Sequence, residues 1–177
     1  MKMERETTET KVQVEISPGS GRSSANTGVP FLDHMLSALA RYSGLDITIS
    51  ASGDLRHHVI EDVAITLGQA FARIIPAECL RYGEQTIAMD DALVQCVIDA
   101  GGRSYYRGPL PGKLYDHWMR SFADNAGMTI HIRVLRGKDR HHVIEAAFKA
   151  LGLAIRDAMR EGDAVFSTKG RVVTREL

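Results

Sequence analysis

The chain has few cysteines, no excess of charge of either sign and no long hydrophobic run. Its two cysteines, Cys79 and Cys96, lack the CxxC spacing of zinc and redox sites. Cys96 lies in the apolar run ALVQCVI, so we interpret both as reduced core thiols. Lys plus Arg and Asp plus Glu number 22 each, which gives no electrostatic reason to expect nucleic acid or an anionic membrane surface as a partner.

The missing hydrophobic run argues against a membrane protein. No stretch approaches the roughly 20 apolar residues of a membrane span, and the opening MKMERETTET has no apolar signal core. The sequence therefore predicts a cytoplasmic protein. With 44% hydrophobic and 25% charged residues, 177 residues can bury a core as a single domain.

What the chain does contain is a duplication. The hexapeptide RHHVIE occupies residues 56–61 and again 140–145. At an offset of 84, HHVIEDVAITLGQA aligns with HHVIEAAFKALGLA; at 83, LDHMLSALARYSGLDITI aligns with YDHWMRSFADNAGMTIHI. One inserted residue near Arg136 reconciles the two offsets. Such self-similarity indicates two copies of one supersecondary unit, with pseudo-symmetric halves of about 1–84 and 85–177.

Each copy predicts the same order of elements. Apolar residues at helical spacing predict a short helix that ends at Gly44 in the first half and at Gly127 in the second. LDITIS and MTIHIRV alternate as strands do, and a longer helix follows each. KVQVEIS and GRSSANTG, and then ALVQCVIDA and RSYYRG, are strand candidates ahead of the short helices. The prediction is an α+β fold made of a duplicated ββαβα unit, with two sheets packed on a layer of helices.

The repeated hexapeptide carries metal-binding side chains. At about 100° per helical residue, Glu61 lies roughly 40° around the helix from His57 and 60° from His58. His57 and His58 diverge by about 100°, so each could serve a different ion. A DH pair lies upstream in each half. The eight matched candidate ligands are His34, His57, His58, Glu61, His117, His141, His142 and Glu145.

Register strengthens the metal interpretation. A single HHxxE is most often polar helix surface, but two in-register copies with a DH motif upstream favour a metal site. Six of the seven histidines occupy matched positions, and only His131, opposite Thr48, has no counterpart. Nitrogen and oxygen ligands without sulfur suit Mn, Fe, Co, Ni or Zn, and positions left for water or substrate favour an octahedral ion such as Mn²⁺ in a catalytic role.

Several motifs together resemble a known family. TGVPFLDHMLSALARYSGLD, GDLRHHVIEDVAITLGQA, RYG followed by DDAL, GGRSYY, DHW before NAGMTIHI, RHHVIEAAFKALGLAIR and STKG are similar to those of imidazoleglycerol-phosphate dehydratases of histidine biosynthesis. The resemblance covers about residues 5–169. The paired HHxxE motifs with FLDHM and STKG are its most specific part.

The resemblance implies a fold and an assembly. Members of that family are duplicated ββαβα folds like the second domain of ribosomal protein S5, assembled as 24 subunits from trimers, with two Mn²⁺ sites per subunit at subunit interfaces. Carried over position by position, the family's ligands are the same eight residues that the repeat identifies.

The resemblance also implies residues that contact substrate, chiefly its phosphate. A phosphate dianion is bound by several cationic or hydroxyl donors. Glu9 matches a glutamate that reaches a neighbouring subunit's site as a candidate acid or base, and His57, Glu61, His141 and Glu145 are implied in catalysis. The implied substrate contacts are Glu9, His34, Arg81, Arg103, Lys149, Ser167, Thr168 and Lys169.

The implied reaction is loss of water from D-erythro-imidazoleglycerol phosphate to give imidazole acetol phosphate. The C–H bond that breaks has no carbonyl beside it, so the imidazole ring must take up the electrons. Metal on a ring nitrogen favours the imidazolate, and loss of the hydroxyl then gives a diazafulvene-type intermediate. Two ring nitrogens and two metals would account for the duplication.

Two alternatives stay open from the residues alone. One is a carboxylate-bridged di-metal oxidase, although such bundles use Glu-x-x-His on long helices and here strands intervene. The other is a metal-dependent assembly without turnover, in which ions only join subunits. The chain also departs from the family in its short connections: Arg56 alone separates GDL from the first HH pair.

Overall fold

The computed structural model describes residues 1–162; the positions of Ser167, Thr168 and Lys169 lie outside this part. The first half consists of β1 Lys2–Glu6, β2 Thr10–Pro18, β3 Ser23–Asn26, α1 Pro30–Ser43, β4 Leu45–Gly53 and α2 Arg56–Ile74. The second half repeats this order with β5 Tyr82–Met89, β6 Ala92–Asp99, β7 Tyr105–Arg107, α3 Lys113–Ala126, β8 Thr129–Arg136 and α4 Arg140–Ala158.

Each half forms a four-stranded sheet of the same topology. The strand orders are β1-β2-β4-β3 and β5-β6-β8-β7. The first two pairings in each sheet are antiparallel, and the last is parallel. The predicted α+β fold with a duplicated unit is therefore confirmed.

The structure adds one strand to the predicted unit at the start of each half. In β1, KMERE, no residue is fully buried, and β5, YGEQTIAM, buries only Gly83. Both are edge strands, so neither carries the inward apolar stripe by which an inner strand is recognised. The inner strands do: β2 buries Val12, Val14 and Ile16.

The inserted residue of the second half is a β-bulge. In β6 and β8, Leu93 pairs with Arg136 while Val94 pairs with Val134, so Leu135 is left out of the ladder. A bulge adds one residue to one strand while the pairing continues on either side of it. This explains why two offsets relate the halves in sequence while their sheets share one topology.

The helices join the two halves. α2 lies on the first sheet and also packs on α3, whereas α4 lies on the second sheet and packs on α1. The short helices end where predicted, with Gly44 at φ +75° and Gly127 at φ +65° as left-handed caps. None of the helices in residues 1–162 has the length and apolarity that crossing a membrane requires.

Matched glycines allow the helices of opposite halves to touch. A Cβ atom on Gly68 of α2 would lie 2.8 Å from the Phe122 carbonyl oxygen of α3. A Cβ on Gly152 of α4 would lie 3.0 Å from the Leu39 carbonyl oxygen of α1. Both crossings therefore need glycine, and both bring the N-terminus of a long helix beside the N-terminus of the other half's short helix.

Candidate metal centre

Two clusters of imidazole and carboxylate groups lie at these paired helix starts. One consists of His34 with His141 and Glu145, the other of His117 with His57 and Glu61. Within each cluster the candidate ligand atoms all lie within 4.8 Å of one another. The DH histidine of one half thus meets the HxxxE pair of the other half, a division that the sequence leaves open.

In the first cluster both histidines face one carboxylate oxygen. His34 Nε2 lies 3.2 Å and His141 Nε2 lies 3.1 Å from Glu145 Oε2. The rings of His34 and His141 are 5.9 Å apart, and Phe31 packs edge-on against His141 at 5.0 Å. Phe31 of α1 therefore covers one side of the His141 ring.

The second cluster also consists of two histidines and one glutamate, but here each histidine faces a different carboxylate oxygen. His57 Nε2 lies 3.4 Å from Glu61 Oε2, and His117 Nε2 lies 3.1 Å from Glu61 Oε1. The rings of His57 and His117 stack at 5.5 Å. Both clusters therefore direct two Nε2 atoms at one glutamate.

These residues fit a divalent metal ion. His117 Nε2 is buried and makes no hydrogen bond within the described residues, although it faces Glu61. A buried polar atom without a hydrogen bond is costly unless something else satisfies it. Two imidazoles and one carboxylate are hard and borderline donors that suit Mn²⁺, and three ligands from one chain leave coordination positions open.

His58 and His142 point away from both clusters. Neither belongs to the groups of ligand atoms that lie within 4.8 Å of one another, and the ring planes of His58 and His142 make angles of 87° and 81° with those of His57 and His141. His58 Nδ1 lies 2.8 Å from Asp54 Oδ1 and 3.6 Å from Glu9 Oε2. The divergence deduced from helix geometry is confirmed, and the chain brings together six of its eight candidate ligands.

Carboxylates surround His142 in the same way, but they come from elsewhere in the chain. His142 Nδ1 lies 2.8 Å from Asp91 Oδ1, and its Nε2 lies 3.3 Å from Asp90 Oδ2. The hydrogen bond with Asp91 raises the pKa of His142, as the bond with Asp54 raises the pKa of His58. Backbone hydrogen bonds from Lys138, then the bond with His142, lower the pKa of Asp91 to about 2.

Lys149 distinguishes the two clusters. Its Nζ lies 2.9 Å from Glu145 Oε1 and 3.0 Å from the sulfur of Met89. Burial opposes ionisation of Glu145, but hydrogen bonds from Lys149 and His34 outweigh it and hold the pKa of Glu145 below its usual value. Lys149, a predicted phosphate contact, is thus placed against a metal-ligand candidate of its own chain.

The predicted substrate contacts Arg81 and Arg103 lie elsewhere. Arg81 forms a bidentate ion pair with Asp99, with Nε 2.6 Å and Nη2 3.0 Å from the carboxylate, and Arg103 is near enough to lower the pKa of Asp99 further. Asp99 ends β6 and Asp91 precedes it. Since β6 is 8 residues long, roughly 26 Å at about 3.3 Å per residue, these arginines are remote from His142 in the same chain.

His131 lies apart from both clusters. It is exposed between the buried Ile130 and Ile132, as the alternation of β8 predicts. Its ring contacts Tyr105 at 5.5 Å, and its strand neighbours are Val97 and Arg107.

Sequence reasoning missed Asp54 and Asp91. Asp54 could have been found, because it precedes His58 by four residues at the start of a predicted helix. Asp91 gives no such signal. It meets His142 only because the β5–β6 turn folds beside the start of α4.

Comparison with known proteins identifies the relatives of the chain. A family model for imidazoleglycerol-phosphate dehydratase (IGPD) matches residues 27–155. In an alignment 193 residues long, the chain is 43% identical to imidazoleglycerol-phosphate dehydratase of Cutibacterium acnes, and the alignment covers 94% of each chain. It is 42% identical to that of Dictyoglomus thermophilum, covering 96% of this chain and 97% of the relative.

Solved structures agree with the sequence comparison. The crystal structure of IGPD from Pyrococcus furiosus in complex with (S)-C348 matches with a TM-score of 0.87 at 40% identity, covering 96% of this chain and 100% of that one. Imidazoleglycerol-phosphate dehydratase from Staphylococcus aureus matches with a TM-score of 0.81 at 35% identity, covering 91% and 99%.

Proposed function

The chain belongs to the imidazoleglycerol-phosphate dehydratase family, and from this premise we propose how it works. It removes water from D-erythro-imidazoleglycerol phosphate to give imidazole acetol phosphate in histidine biosynthesis, using two Mn²⁺ ions per subunit. The observation that carries the proposal is the pair of matched clusters, each of which joins a histidine of one half to a histidine and glutamate of the other.

Each cluster would hold one ion. His34, His141 and Glu145 would bind one, and His57, Glu61 and His117 the other. Bound there, the two ions would supply positive charge that polarises the substrate's imidazole ring. Because the C–H bond that breaks is not acidic, the proposed route passes through the imidazolate and a diazafulvene-type intermediate of the substrate.

His58 and His142 complete sites in other copies of the chain. Neither belongs to a cluster of its own chain, and an ion held by three ligands has room for a fourth. Sites shared in this way lie between subunits, consistent with a 24-subunit assembly built from trimers. Metal binding and assembly are then linked, since neither can be completed by one chain.

Glu9 would move a proton at such a shared site. Its carboxylate lies 3.6 Å from His58, so Glu9 would be within reach of the shared site that His58 is proposed to complete. Because Glu9 sits in the turn between β1 and β2 and its side chain is 55% exposed, it can approach a substrate held by the neighbour. A carboxylate within hydrogen-bond reach of the reacting carbon or hydroxyl acts as general base or acid.

Substrate phosphate would be held in part by Arg81 and Arg103 of a different chain from the one that supplies the clusters. Arg81 and Arg103 lie together about Asp99, at the other end of β6 from His142. Lys149, with Ser167, Thr168 and Lys169 of the STKG motif, completes the proposed set. Guanidinium and ammonium groups supply the charge-assisted hydrogen bonds that a phosphate dianion accepts.

Metal removal tests the proposal. We expect the purified protein to contain two equivalents of metal per chain and to dehydrate the substrate. Chelation should abolish activity and produce trimers that regain the larger size and the activity when Mn²⁺ is added. Metal content by mass spectrometry, dehydration rate and sedimentation would be measured on the same samples. Full activity after complete metal removal would contradict the proposed chemistry, and an unchanged large assembly would contradict the shared sites.

Arg103→Ala tests the phosphate contact. Loss of one charge-assisted hydrogen bond costs about 1.5–3 kcal/mol, so KM should rise about ten- to a hundredfold while metal content stays the same. Arg107→Ala, an exposed arginine on β7, is the matched control and should leave KM unchanged. Equal handling of substrate with and without its phosphate would contradict the assignment.

A further inference from the structure

The two histidines that point out of the clusters are held in the same way. In each, Nδ1 lies 2.8 Å from an aspartate oxygen, of Asp54 for His58 and of Asp91 for His142. We infer that Asp54 and Asp91 are positioning residues that fix the ring direction and tautomer of His58 and His142, so that each offers Nε2 to a metal ion. The inference rests on the proposed metal-binding role of these two histidines.

The tautomer follows from which nitrogen faces the carboxylate. A neutral imidazole carries one N–H and one lone pair, and an ionised aspartate only accepts, so Nδ1 takes the proton. The lone pair is then left on Nε2, the nitrogen that can bind metal. The four histidines inside the clusters also direct Nε2 at their glutamates, so the inference gives all six the same ligand atom.

The two aspartates reach this geometry from unrelated positions. Asp54 precedes α2 and lies one turn before His58, and its Oδ1 also accepts a hydrogen bond from the backbone N–H of Leu55. The repeat places Lys138 at the matching position of the second half, where an ammonium group cannot accept. Asp91 supplies the carboxylate there from the β5–β6 turn, 51 residues before His142. The same contact is thus kept although its source differs.

Asp91 is itself held rigidly. Its Oδ2 accepts hydrogen bonds from the backbone N–H groups of Lys138 at 2.7 Å and Asp139 at 3.2 Å, which leaves Oδ1 for His142. Asp90 lies 3.3 Å from His142 Nε2, but its side chain is 70% exposed and can swing away when a cation arrives. Of the two acidic neighbours, only Asp91 is fixed in a position that orients the ring.

If Asp91 only stabilised the fold, replacing it should affect metal binding no more than replacing Asp46, which serves as the control. Asp46 also accepts two backbone hydrogen bonds, from Ser20 and Arg22 at 2.9 Å each. Its guanidinium partner Arg22 and those backbone bonds lower the pKa of Asp46 to about 2, the same value as for Asp91. Asp46 therefore fastens a loop as Asp91 does, but holds no histidine.

The substitution Asp91→Asn should reverse the tautomer. The two backbone N–H groups require an oxygen, so the amide nitrogen would face His142 and donate to Nδ1, which moves the proton to Nε2. Asp54 uses one oxygen for both of its contacts, and an amide oxygen could replace it. Asp54→Ala is therefore the informative change in the first half.

Mn²⁺ binding to the chelated full-length protein, measured in a chelator-buffered series, tests the inference. Asp91→Asn and Asp54→Ala should each weaken one of the two binding steps by about ten- to a hundredfold, the usual effect of removing a carboxylate behind a histidine ligand. The double variant should weaken both steps, and Asp46→Asn neither. Without metal, the midpoint temperature of thermal unfolding should be no lower for Asp91→Asn than for Asp46→Asn.

The outcomes separate this inference from the proposed function. If His142→Ala keeps both metal equivalents, the ligand assignment itself fails. If His142→Ala loses one and Asp91→Asn binds Mn²⁺ like the unchanged protein, only the positioning role fails. Equal weakening by Asp91→Asn and Asp46→Asn would also overturn the inference, because it would show a loss of fold stability.

Discussion

The two clusters contain the same kinds of side chain, two histidines and one glutamate, yet their carboxylates lie in different surroundings. The Glu61 side chain is 34% exposed and that of Glu145 only 7%. Lys149 forms an ion pair with Glu145, whereas the repeat places Ile65 at the matching position beside Glu61. Duplication has therefore kept the candidate ligands and changed the charge around them, so the two clusters are chemically distinct.

The difference concerns how much negative charge each cluster offers a cation. Glu145 shares its charge with the Lys149 ammonium group before any ion arrives. Within residues 1–162, the ion-pair partners of Glu61 are the imidazole nitrogens of His57 and His117. We therefore expect the cluster of Glu61 to bind a metal ion first and the cluster of Glu145 second.

The largest effect should come from removing one histidine that crosses between the halves. His34→Ala and His117→Ala should each lose one metal equivalent, because each removes one of three ligands. An ion that supplies several kcal/mol of transition-state stabilisation is then missing, so kcat should fall at least about a thousandfold.

Metal counting and kcat on the two variants would test whether the halves contribute equally. Circular dichroism would first establish that both variants fold. If either variant kept two equivalents and normal turnover, the cross-half assignment of that cluster would be wrong.

Next in size should be the glycines at the helix crossings. Gly68→Ala places a methyl group against the α3 backbone, and Gly152→Ala places one against α1. Overpacking costs about 1–3 kcal/mol, partly offset by up to about 1 kcal/mol from the better helix propensity of alanine. Denaturant unfolding of the chelated protein should show a similar loss for both variants. A loss at one crossing alone would show that the two crossings are not equivalent.

The order of elements could be predicted from the sequence because apolar periodicity and the repeat report local structure. The edge strands β1 and β5 could not, since an edge strand buries little and its alternation is weak. The pairing of His34 with His141 instead of His57 was also out of reach. It depends on which long helix packs beside α1. The only trace of that contact in the sequence is Gly152, and a single glycine does not identify a packing partner.

The site was predicted unevenly for the same reason. Helix angles correctly separated His57 from His58, because both lie on one helix with fixed geometry. Asp91 was missed because its contact with His142 is formed by the turn of a hairpin. Asp54 and Lys149 lie within four residues of the candidate ligands they contact, whereas Asp91 reaches His142 only through tertiary structure.

An exchange of Lys149 and Ile65 would test whether the neighbours of the two carboxylates set the order of metal binding. Lys149→Ile frees Glu145 from its ion pair and should strengthen Mn²⁺ binding at the cluster of Glu145. Ile65→Lys places an ammonium group four residues after Glu61 and should weaken Mn²⁺ binding at the cluster of Glu61. A charge-assisted hydrogen bond contributes about 1.5–3 kcal/mol, and solvent and rearrangement reduce its effect to about tenfold in affinity.

Titration calorimetry of the chelated single variants and of the double exchange would measure both steps. The double exchange should reverse their order of filling. If Lys149→Ile weakened metal binding, the ammonium group would be supporting the site and the proposed order would be wrong.

The smallest effect should come from His131, the one histidine without a counterpart in the other half. His131→Thr gives β8 the residue that Thr48 provides in β4, and threonine suits an exposed strand position. The side chain contacts Tyr105 on the outer face of the sheet and no cluster, so stability should change by no more than about 0.5 kcal/mol and both metal equivalents should remain. Metal analysis beside His117→Ala provides the measurement, with thermal unfolding as the check on folding. Loss of metal comparable to that of His117→Ala would mean that the repeat does not separate ligand from non-ligand histidines, and the comparison of the two halves would lose its basis.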